Sequence, residues 1–141
     1  MSQDLFVRSG LILASGELRF RFSRSSGPGG QNVNKVESKV EVAFDVASSG
    51  SLTDRQRGQI QHALSGRIDV DGVLRVVVQD SRSQWANREA SREKLAALLR
   101  AALTPRKRRI ATGPSKGSKE RRFRAKKERS TIKKNRRVDL E

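Results

Sequence analysis

The chain has 141 residues, 34% of them hydrophobic and 4% aromatic, which is enough for one modest core and one small domain. Its 31 lysine and arginine residues against 15 acidic ones give a net charge of +16, which indicates a polyanionic partner, nucleic acid before an anionic membrane or an acidic protein. The lack of cysteine excludes disulfides and thiolate chemistry, and one histidine is too few for a Cys/His metal site. No stretch approaches the ~20 apolar residues of a membrane span and the first residues lack a signal-peptide pattern, so we expect a cytoplasmic protein without a membrane partner.

Alternating or β-branched stretches predict three strands of one sheet, at 17–22, 36–46 and 73–79. In the first, Leu18, Phe20 and Phe22 share one face, and in the second only Ser38 interrupts the apolar face, so we expect these two strands to be antiparallel neighbours. The third is apolar over much of both faces, which predicts a central position in the sheet. The short apolar run Leu11–Leu13 can add an edge strand.

Two sites with a hydroxyl residue three positions before a glutamine predict helix starts with a capping box. In the first, Thr53 caps a helix that ends near Gly66. In the second, Ser81 opens a helix at 82–103, which ends before Pro105 because the residue preceding a proline is forced out of the helical region. The predicted apolar stripe of this second helix consists of Trp85, Leu95, Leu98, Leu99, Ala102 and Leu103.

These elements predict the α+β class, with a small mixed or antiparallel sheet backed by two helices within residues 1–105. Residues 25–35, between the first two strands, are expected to form a mobile and exposed loop. This loop contains the sequence Ser26-Gly27-Pro28-Gly29-Gly30-Gln31-Asn32-Val33-Asn34-Lys35. Its glycines allow the backbone to turn sharply and to lie close to another molecule.

The loop supplies amide side chains, from Gln31, Asn32 and Asn34, but no group that titrates near neutral pH. It can therefore orient and polarise a reactant, but it cannot easily transfer a proton. The single histidine, His62, lies in a helical segment far along the chain, and we expect it to be a surface residue and not part of a Ser-His-Asp triad.

The composition changes abruptly after Pro105. Residues 106–141 contain 16 lysine and arginine residues and four acidic ones, so they carry +12 of the total charge of +16. Their few apolar residues cannot offset the entropy cost of ordering, and we expect the segment to be disordered when free. Within it, Ser118–Arg129 consists mostly of good helix formers and can fold once phosphates surround it. A generic basic tail that raises RNA affinity is the simpler interpretation.

Gly29-Gly30-Gln31 and its ten-residue context resemble the GGQ loop of the class I peptide-chain release factors, and the chain as a whole resembles their codon-independent ribosome-rescue branch. The resemblance implies hydrolysis of the peptidyl-tRNA ester in the peptidyl-transferase centre, with Gly29, Gly30 and Gln31 as the catalytic residues. It implies a monomer whose partners are the ribosome, through 23S and 16S rRNA, and peptidyl-tRNA in the P site, with no cofactor and no metal. Residues expected to support the loop are Ser26, Gly27, Pro28, Asn32, Asn34 and Lys35.

The tail resembles the C-terminal extension of the rescue factors, which implies a ribosome-binding tail at 106–141 that folds as a helix on the ribosome and senses an empty mRNA channel. The match at Ser118–Arg122 carries this resemblance. Residues implied in rRNA or mRNA-channel binding are Lys119, Arg121, Arg122, Lys126, Lys127, Lys133 and Arg136. The start of the second helix, 82–89, also resembles the rescue factors, and both an RNA contact and an ordinary capped helix turn are consistent with it.

Other functions fit the sequence less well. A codon-reading release factor needs further domains to inspect a stop codon, and a P-loop NTPase needs a Gly-Lys pair that the glycine loop does not contain. A non-enzymatic basic factor that binds rRNA or the ribosome explains the charge, but it leaves the Gly-Gly-Gln sequence without a role. The sequence does not decide between the backbone N–H and the side chain of Gln31 as the main catalytic group.

Overall fold

A computed structural model describes residues 3–26 and 37–138 of the chain. The fold is of the predicted α+β class, and the chain divides into two compact units, Met1–Pro105 and Arg106–Glu141. Within the described ranges, no helix is both long enough and apolar enough to cross a membrane.

The first unit contains two antiparallel sheets and two α-helices. The strands are β1 (Leu5–Arg8), β2 (Leu11–Leu13), β3 (Leu18–Ser23), β4 (Lys39–Asp45) and β5 (Val73–Val78). The helices are α1 (Asp54–Ala63) and α2 (Gln84–Leu103), with a short 3-10 turn at Ser15–Glu17. The second unit contains one helix, α3 (Lys116–Val138), preceded by a segment, 106–115, without regular secondary structure.

The larger sheet has the order β3-β4-β5, and the predicted antiparallel pairing of the first two strands is confirmed. Alternation in β4 buries Val40, Val42 and Phe44 completely and leaves the residues between them half-buried. Helix α2 packs on this buried face and covers β4 and β5. In β3 the alternation is less sharp, because Leu18 is buried and Phe20 half-buried, whereas Phe22 is 38% exposed.

The predicted central position of β5 is wrong, because β4 occupies the centre and β5 lies at an edge of the sheet. The prediction of a strand buried on both faces is also wrong. Leu74, Val76 and Val78 are buried, but Arg75 is exposed and Val77 is 46% exposed. The β-branched run reflects strand propensity, while a helix covers only one face of this antiparallel sheet.

The N-terminal strand does not add an edge to this sheet, contrary to the prediction. Leu11–Leu13 instead pairs with Leu5–Arg8, a strand that the sequence analysis missed, and the two form a separate hairpin. Two arginine side chains of α2 bind backbone carbonyl groups at this hairpin: Arg92 donates to the carbonyl of Asp4 (3.2 Å) and Arg100 to that of Val7 (3.2 Å). These long side chains therefore join α2 to the hairpin and to the residue before it.

The predicted capping box at the start of α1 is confirmed in both directions. The amide of Gln56 donates to Thr53 Oγ1 (3.2 Å), and the amide of Thr53 donates to Gln56 Oε1 (3.0 Å). The helix ends at Ala63, three residues before the predicted stop at Gly66.

The predicted start of α2 is wrong by two residues. Ser83, not Ser81, is the N-cap, and its hydroxyl accepts from the amide of Ala86 (3.2 Å). Ser81 belongs to the preceding turn, where its hydroxyl accepts from the amide of Ser83 (3.1 Å). Trp85 is 72% exposed and does not belong to the apolar stripe, whereas Leu95, Leu99 and Leu103 are buried as predicted.

The carboxylate of Glu17 connects the start of β3 to the segment between β4 and α1. It accepts hydrogen bonds from Ser49 Oγ (3.0 Å), from the amide of Gly50 (2.7 Å) and from the amide of Ser51 (3.3 Å). Burial raises the pKa of Glu17, but hydrogen bonds from Ser51, Ser49 and Gly50 outweigh burial and hold that pKa below its usual value. The folded chain therefore favours the ionised form of Glu17.

The segment Ser118–Arg129, predicted to fold only when phosphates surround it, lies inside the longer helix Lys116–Val138, although we expected the tail to be disordered when free. No residue of α3 is buried, and a helix without packing contacts is only marginally stable in water. That this segment folds on the ribosome stays a prediction.

Glu17→Gln should lower the free energy of unfolding at pH 7 by about 1–2 kcal/mol, because the variant loses charge-assisted hydrogen bonds to three partners. Since the folded chain lowers the pKa of Glu17, this contribution is present above the usual glutamate pKa of about 4.3 and is lost as the pH falls through the lower, folded value. Urea unfolding of both proteins between pH 7 and pH 3 measures the difference. A difference that stays constant down to pH 3 would contradict this account.

Gly72→Ala and Gly10→Ala form a matched pair that separates backbone strain from steric conflict. Both glycines have φ near +80°, but a Cβ at Gly72 would lie 2.6 Å from Ala47 Cβ, whereas a Cβ at Gly10 meets no atom within 4 Å. We expect a loss of about 1 kcal/mol at Gly10 and a loss of about 2–4 kcal/mol at Gly72. Urea unfolding at pH 7 measures both, and equal losses would show that the contact with Ala47 relaxes freely.

Candidate functional site

Most of the predicted catalytic loop lies outside the described residues. This applies to Gly27, Pro28, Gly29, Gly30, Gln31, Asn32, Asn34 and Lys35, and to the prediction that the loop is mobile. Ser26 is described, and it is exposed and without regular secondary structure. The structure therefore defines the candidate site through the two chain segments that lead into and out of this sequence, which we call the first stem (18–26) and the second stem (37–45).

The two stems are held together by the antiparallel ladder of β3 and β4. It contains six residue pairs, from Leu18 opposite Phe44 to Ser23 opposite Lys39. Because register in such a ladder is fixed by which face is buried, the burial of Val40, Val42 and Phe44 also fixes where each stem leaves the sheet. The Gly-Gly-Gln sequence is thus connected to the most buried strand of the domain.

The second stem is also bound by the start of α2. Gln84 Nε2 donates to the carbonyl oxygen of Glu37 (2.8 Å), and Asn87 Nδ2 donates to the carbonyl oxygen of Ser38 (2.6 Å). Asn87 is 1% exposed and makes two further hydrogen bonds with Ser81, one from Asn87 Nδ2 to the Ser81 carbonyl (2.8 Å) and one from the Ser81 amide to Asn87 Oδ1 (2.9 Å). The amide of Asn87 therefore uses both its donors and its acceptor.

The first stem contacts the same helix through an aromatic ring. The guanidinium carbon of Arg88 lies 4.6 Å from the centroid of the Phe20 ring, a cation–π distance. Arg88 Nε is the one buried side-chain nitrogen or oxygen without a hydrogen-bond partner in the described ranges. The attraction to the half-buried ring offsets part of the cost of that missing bond.

The structural role of Asn87 was not predicted from the sequence. Residues 82–89 were interpreted as either an RNA contact or a capped and solvated turn, but Asn87 is neither solvated nor on the surface. The spacing of the residues could have indicated its burial, because Asn87 lies at intervals of four residues from the predicted apolar positions of α2. The buried row along this helix consists of Asn87, Ser91, Leu95, Leu99 and Leu103. The first two members are polar, so a search for an apolar stripe finds only the last three.

Three described carboxyl groups have a perturbed pKa, and in each case it is lowered. Besides Glu17, the pKa of Asp45 is held down by hydrogen bonds from the hydroxyl and amide of Ser48, and that of Asp69 by hydrogen bonds from the amides of Val73 and Asp71. In each of these carboxyl groups the hydrogen bonds favour the ionised form. His62 is exposed on α1, as predicted. Within residues 3–26 and 37–138, no group of three acidic, histidine or cysteine side chains lies close enough together to hold a metal ion.

The residues predicted to bind RNA in the tail all lie on α3, and all are exposed. They are Lys119, Arg121, Arg122, Lys126, Lys127, Lys133 and Arg136. Since successive residues of a helix are about 100° apart, the lysine and arginine side chains of α3 point to nearly every side of it. A helix of this length spans about 35 Å.

Comparison with known proteins places these features in a family. The sequence matches the RF-1 domain over residues 8–136. It is 39% identical over 129 residues to the peptidyl-tRNA hydrolase ArfB of Pseudomonas putida, which covers 92% of this chain and 93% of that protein. It is 43% identical over 70 residues to the mouse large ribosomal subunit protein mL62, which covers half of this chain and 34% of that protein.

A further relative is peptide chain release factor 1 of Nitrosomonas eutropha, 31% identical over 87 residues. This match covers 62% of the chain but only 24% of that factor. The family match extends over most of the chain and includes both stems and α2. The chain therefore belongs to the RF-1 domain family, the family of the class I peptide-chain release factors that its Gly-Gly-Gln sequence resembles.

Proposed function

We propose that this protein is a peptidyl-tRNA hydrolase that rescues stalled ribosomes without reading a codon. The observation that carries the proposal is the similarity to the peptidyl-tRNA hydrolase ArfB, which extends over nearly the whole of both chains. The match to release factor 1 covers only a quarter of that factor, whereas the match to ArfB covers 93% of ArfB. The partners would be the ribosome, through its rRNA, and peptidyl-tRNA in the P site.

In this proposal Gly29, Gly30 and Gln31 act by positioning. The two glycines allow the backbone to enter a narrow site, and Gln31 orients the attacking water and stabilises the negative charge that develops on the ester oxygen. The composition of the loop supports this chemistry, because its amide side chains can orient and polarise a reactant but offer no general base near neutral pH. The remaining loop residues would shape the loop around this group.

The proposed role of the tail is to bind RNA in the empty mRNA channel. Residues 106–141 carry +12 of the total charge of +16, and the lysine and arginine side chains of α3 point to nearly every side of the helix, as a channel lined by phosphates requires. The contacts would come from Lys119, Arg121, Arg122, Lys126, Lys127, Lys133 and Arg136. A message that fills the channel would exclude the helix, so the tail would sense the vacancy.

Substitutions at Gln31 test the catalytic proposal. Gln31→Ala should slow peptide release at least about tenfold while ribosome binding stays unchanged. The reason is that the variant loses the side-chain amide that would donate a hydrogen bond to the developing negative charge on the ester oxygen. Gln31→Pro additionally removes the backbone N–H, and a larger effect than that of alanine would assign the main role to the backbone. The measurement is single-turnover release from ribosomes stalled on a truncated message, with binding measured separately. Wild-type rates in both variants would contradict the catalytic role.

A non-enzymatic ribosome-binding factor is the second candidate, and the observation that favours it is the similarity to mL62, a large ribosomal subunit protein. The release assay separates the two. Release from a ribosome with no codon in the A site supports rescue, release that depends on a stop codon supports decoding, and firm binding without release supports the second candidate.

Truncation after Thr104 tests the tail. The first 105 residues retain a net charge of only +4, so the truncated protein should lose most of its ribosome affinity and most of its rescue activity, and its affinity should depend less steeply on salt. The measurement is the ribosome dissociation constant between 50 and 200 mM salt, together with the release rate.

A tail of identical composition in shuffled order is the matched control. If the shuffled tail restores activity, the tail is a general electrostatic anchor. If only the native order restores it, and longer messages compete with it, the result supports recognition of the empty channel.

A further inference from the structure

The first two turns of α2 contact both stems of the Gly-Gly-Gln sequence. Gln84 and Asn87 bind backbone carbonyl groups of the second stem, at Glu37 and Ser38, and Arg88 lies over Phe20 of the first stem. The partners in the two hydrogen bonds are 47 and 49 residues apart in sequence. Within the described ranges, α2 is the one helix with side-chain hydrogen bonds to residues of either stem beyond the β3–β4 ladder.

The bond from Asn87 fixes Ser38 firmly. Both donors and the acceptor of the Asn87 amide are used, so the side chain cannot rotate without breaking three hydrogen bonds in a buried position. The carbonyl of Ser38 is thereby tied to a helix that is itself anchored by its buried row of leucines. This contact extends the fixed part of the second stem beyond Lys39, the last paired residue of the ladder.

Gln84 extends the fixed part by one more residue, to Glu37, but it does so at the surface. Its side chain is exposed, and a single exposed hydrogen bond adds little to folding stability, because water can replace it and the long side chain loses rotamer freedom. What the bond does accomplish is to set the position of the Glu37 carbonyl, six residues after Gln31 in the sequence.

We propose that Gln84 and Asn87 are positioning residues for the hydrolytic reaction: they hold Glu37 and Ser38 in place, so that the segment carrying Gln31 is joined to the fold at a fixed point and in a fixed direction. The inference rests on the proposed function, because it assigns these residues to the delivery of Gln31. A reaction that depends on positioning and not on proton transfer is sensitive to such support, since small displacements of a catalytic group cost large factors in rate.

Gln84→Glu separates positioning from stability, because the two roles predict different results. Gln84 is the first residue of α2, where a carboxylate interacts favourably with the helix dipole, so a purely structural role predicts an unchanged or higher melting temperature and an unchanged release rate. The positioning role predicts a release rate at saturating protein that is about threefold to tenfold lower, since the carboxylate cannot donate to Glu37 and repels its carbonyl. The concentration giving half-maximal rate should not change. Gln84→Ala, which removes the donor without adding charge, should also lower the rate.

Gln61→Glu is the matched control, because it introduces the same charge at an exposed position on α1. It should leave both the maximal rate and the half-maximal concentration at wild-type values. Asn87→Asp tests the buried contact, with a larger expected loss of rate. Because that variant places a carboxylate against two carbonyl groups and can fail to fold, the conclusion depends on Gln84.

Wild type and Gln31→Ala, assayed in parallel, distinguish failure of this inference from failure of the proposed function. If wild type releases peptide, Gln31→Ala does not, and Gln84→Glu matches wild type, the positioning role is overturned and the hydrolase remains. If Gln84→Glu changes only the half-maximal concentration, Gln84 contacts the ribosome and the positioning role is again overturned. If wild type releases nothing, both proposals fall.

Discussion

One row of side chains on α2 is buried along the full length of the helix, and both sheets of the domain are arranged against that side of it. The C-terminal part of the row, Leu95, Leu99 and Leu103, is apolar, and each of these side chains contributes about 1.5–3 kcal/mol by leaving water. The N-terminal part, Asn87 and Ser91, is polar and contributes little through burial. Asn87 instead fixes how the start of α2 is oriented relative to Ser38 of the second stem, because its hydrogen bonds are satisfied in one geometry only.

Much of this fold could be predicted from the sequence, because its main features are local. The strict alternation in 39–45 and the reciprocal capping at Thr53 each involve a few neighbouring residues, and both were found in the structure. The errors concern choices that sequence neighbours do not determine. The solvent face of β5, which includes the exposed Arg75, and its edge position both depend on which strands pair and on which face the helix covers. The separate hairpin packs its leucines and Val7 into the core and accepts hydrogen bonds from Arg92 and Arg100, some ninety residues away from it in the chain.

The candidate site shows the same contrast. The Gly-Gly-Gln sequence and the basic tail are each one continuous stretch of sequence, so both were recognised from the residues alone. The contacts of Gln84 and Asn87 with the second stem join residues nearly fifty positions apart. From its sequence neighbours alone, an asparagine in a helix cannot be distinguished from an ordinary polar surface residue. A buried polar group is informative only once its partners are known. A candidate catalytic motif can thus be proposed from the sequence, while the groups that contact its stems are found only from the fold.

The segment 106–115, which has no regular secondary structure, joins the domain to a helix that has no buried residue. A tether of ten residues reaches at most about 35 Å, so a helix held on the ribosome would confine the domain to a small volume around its anchor. Short flexible tethers produce effective concentrations in the millimolar range. Under that condition the domain needs only millimolar affinity for its own site to occupy it. It can then leave that site quickly after each turnover while the complex as a whole persists.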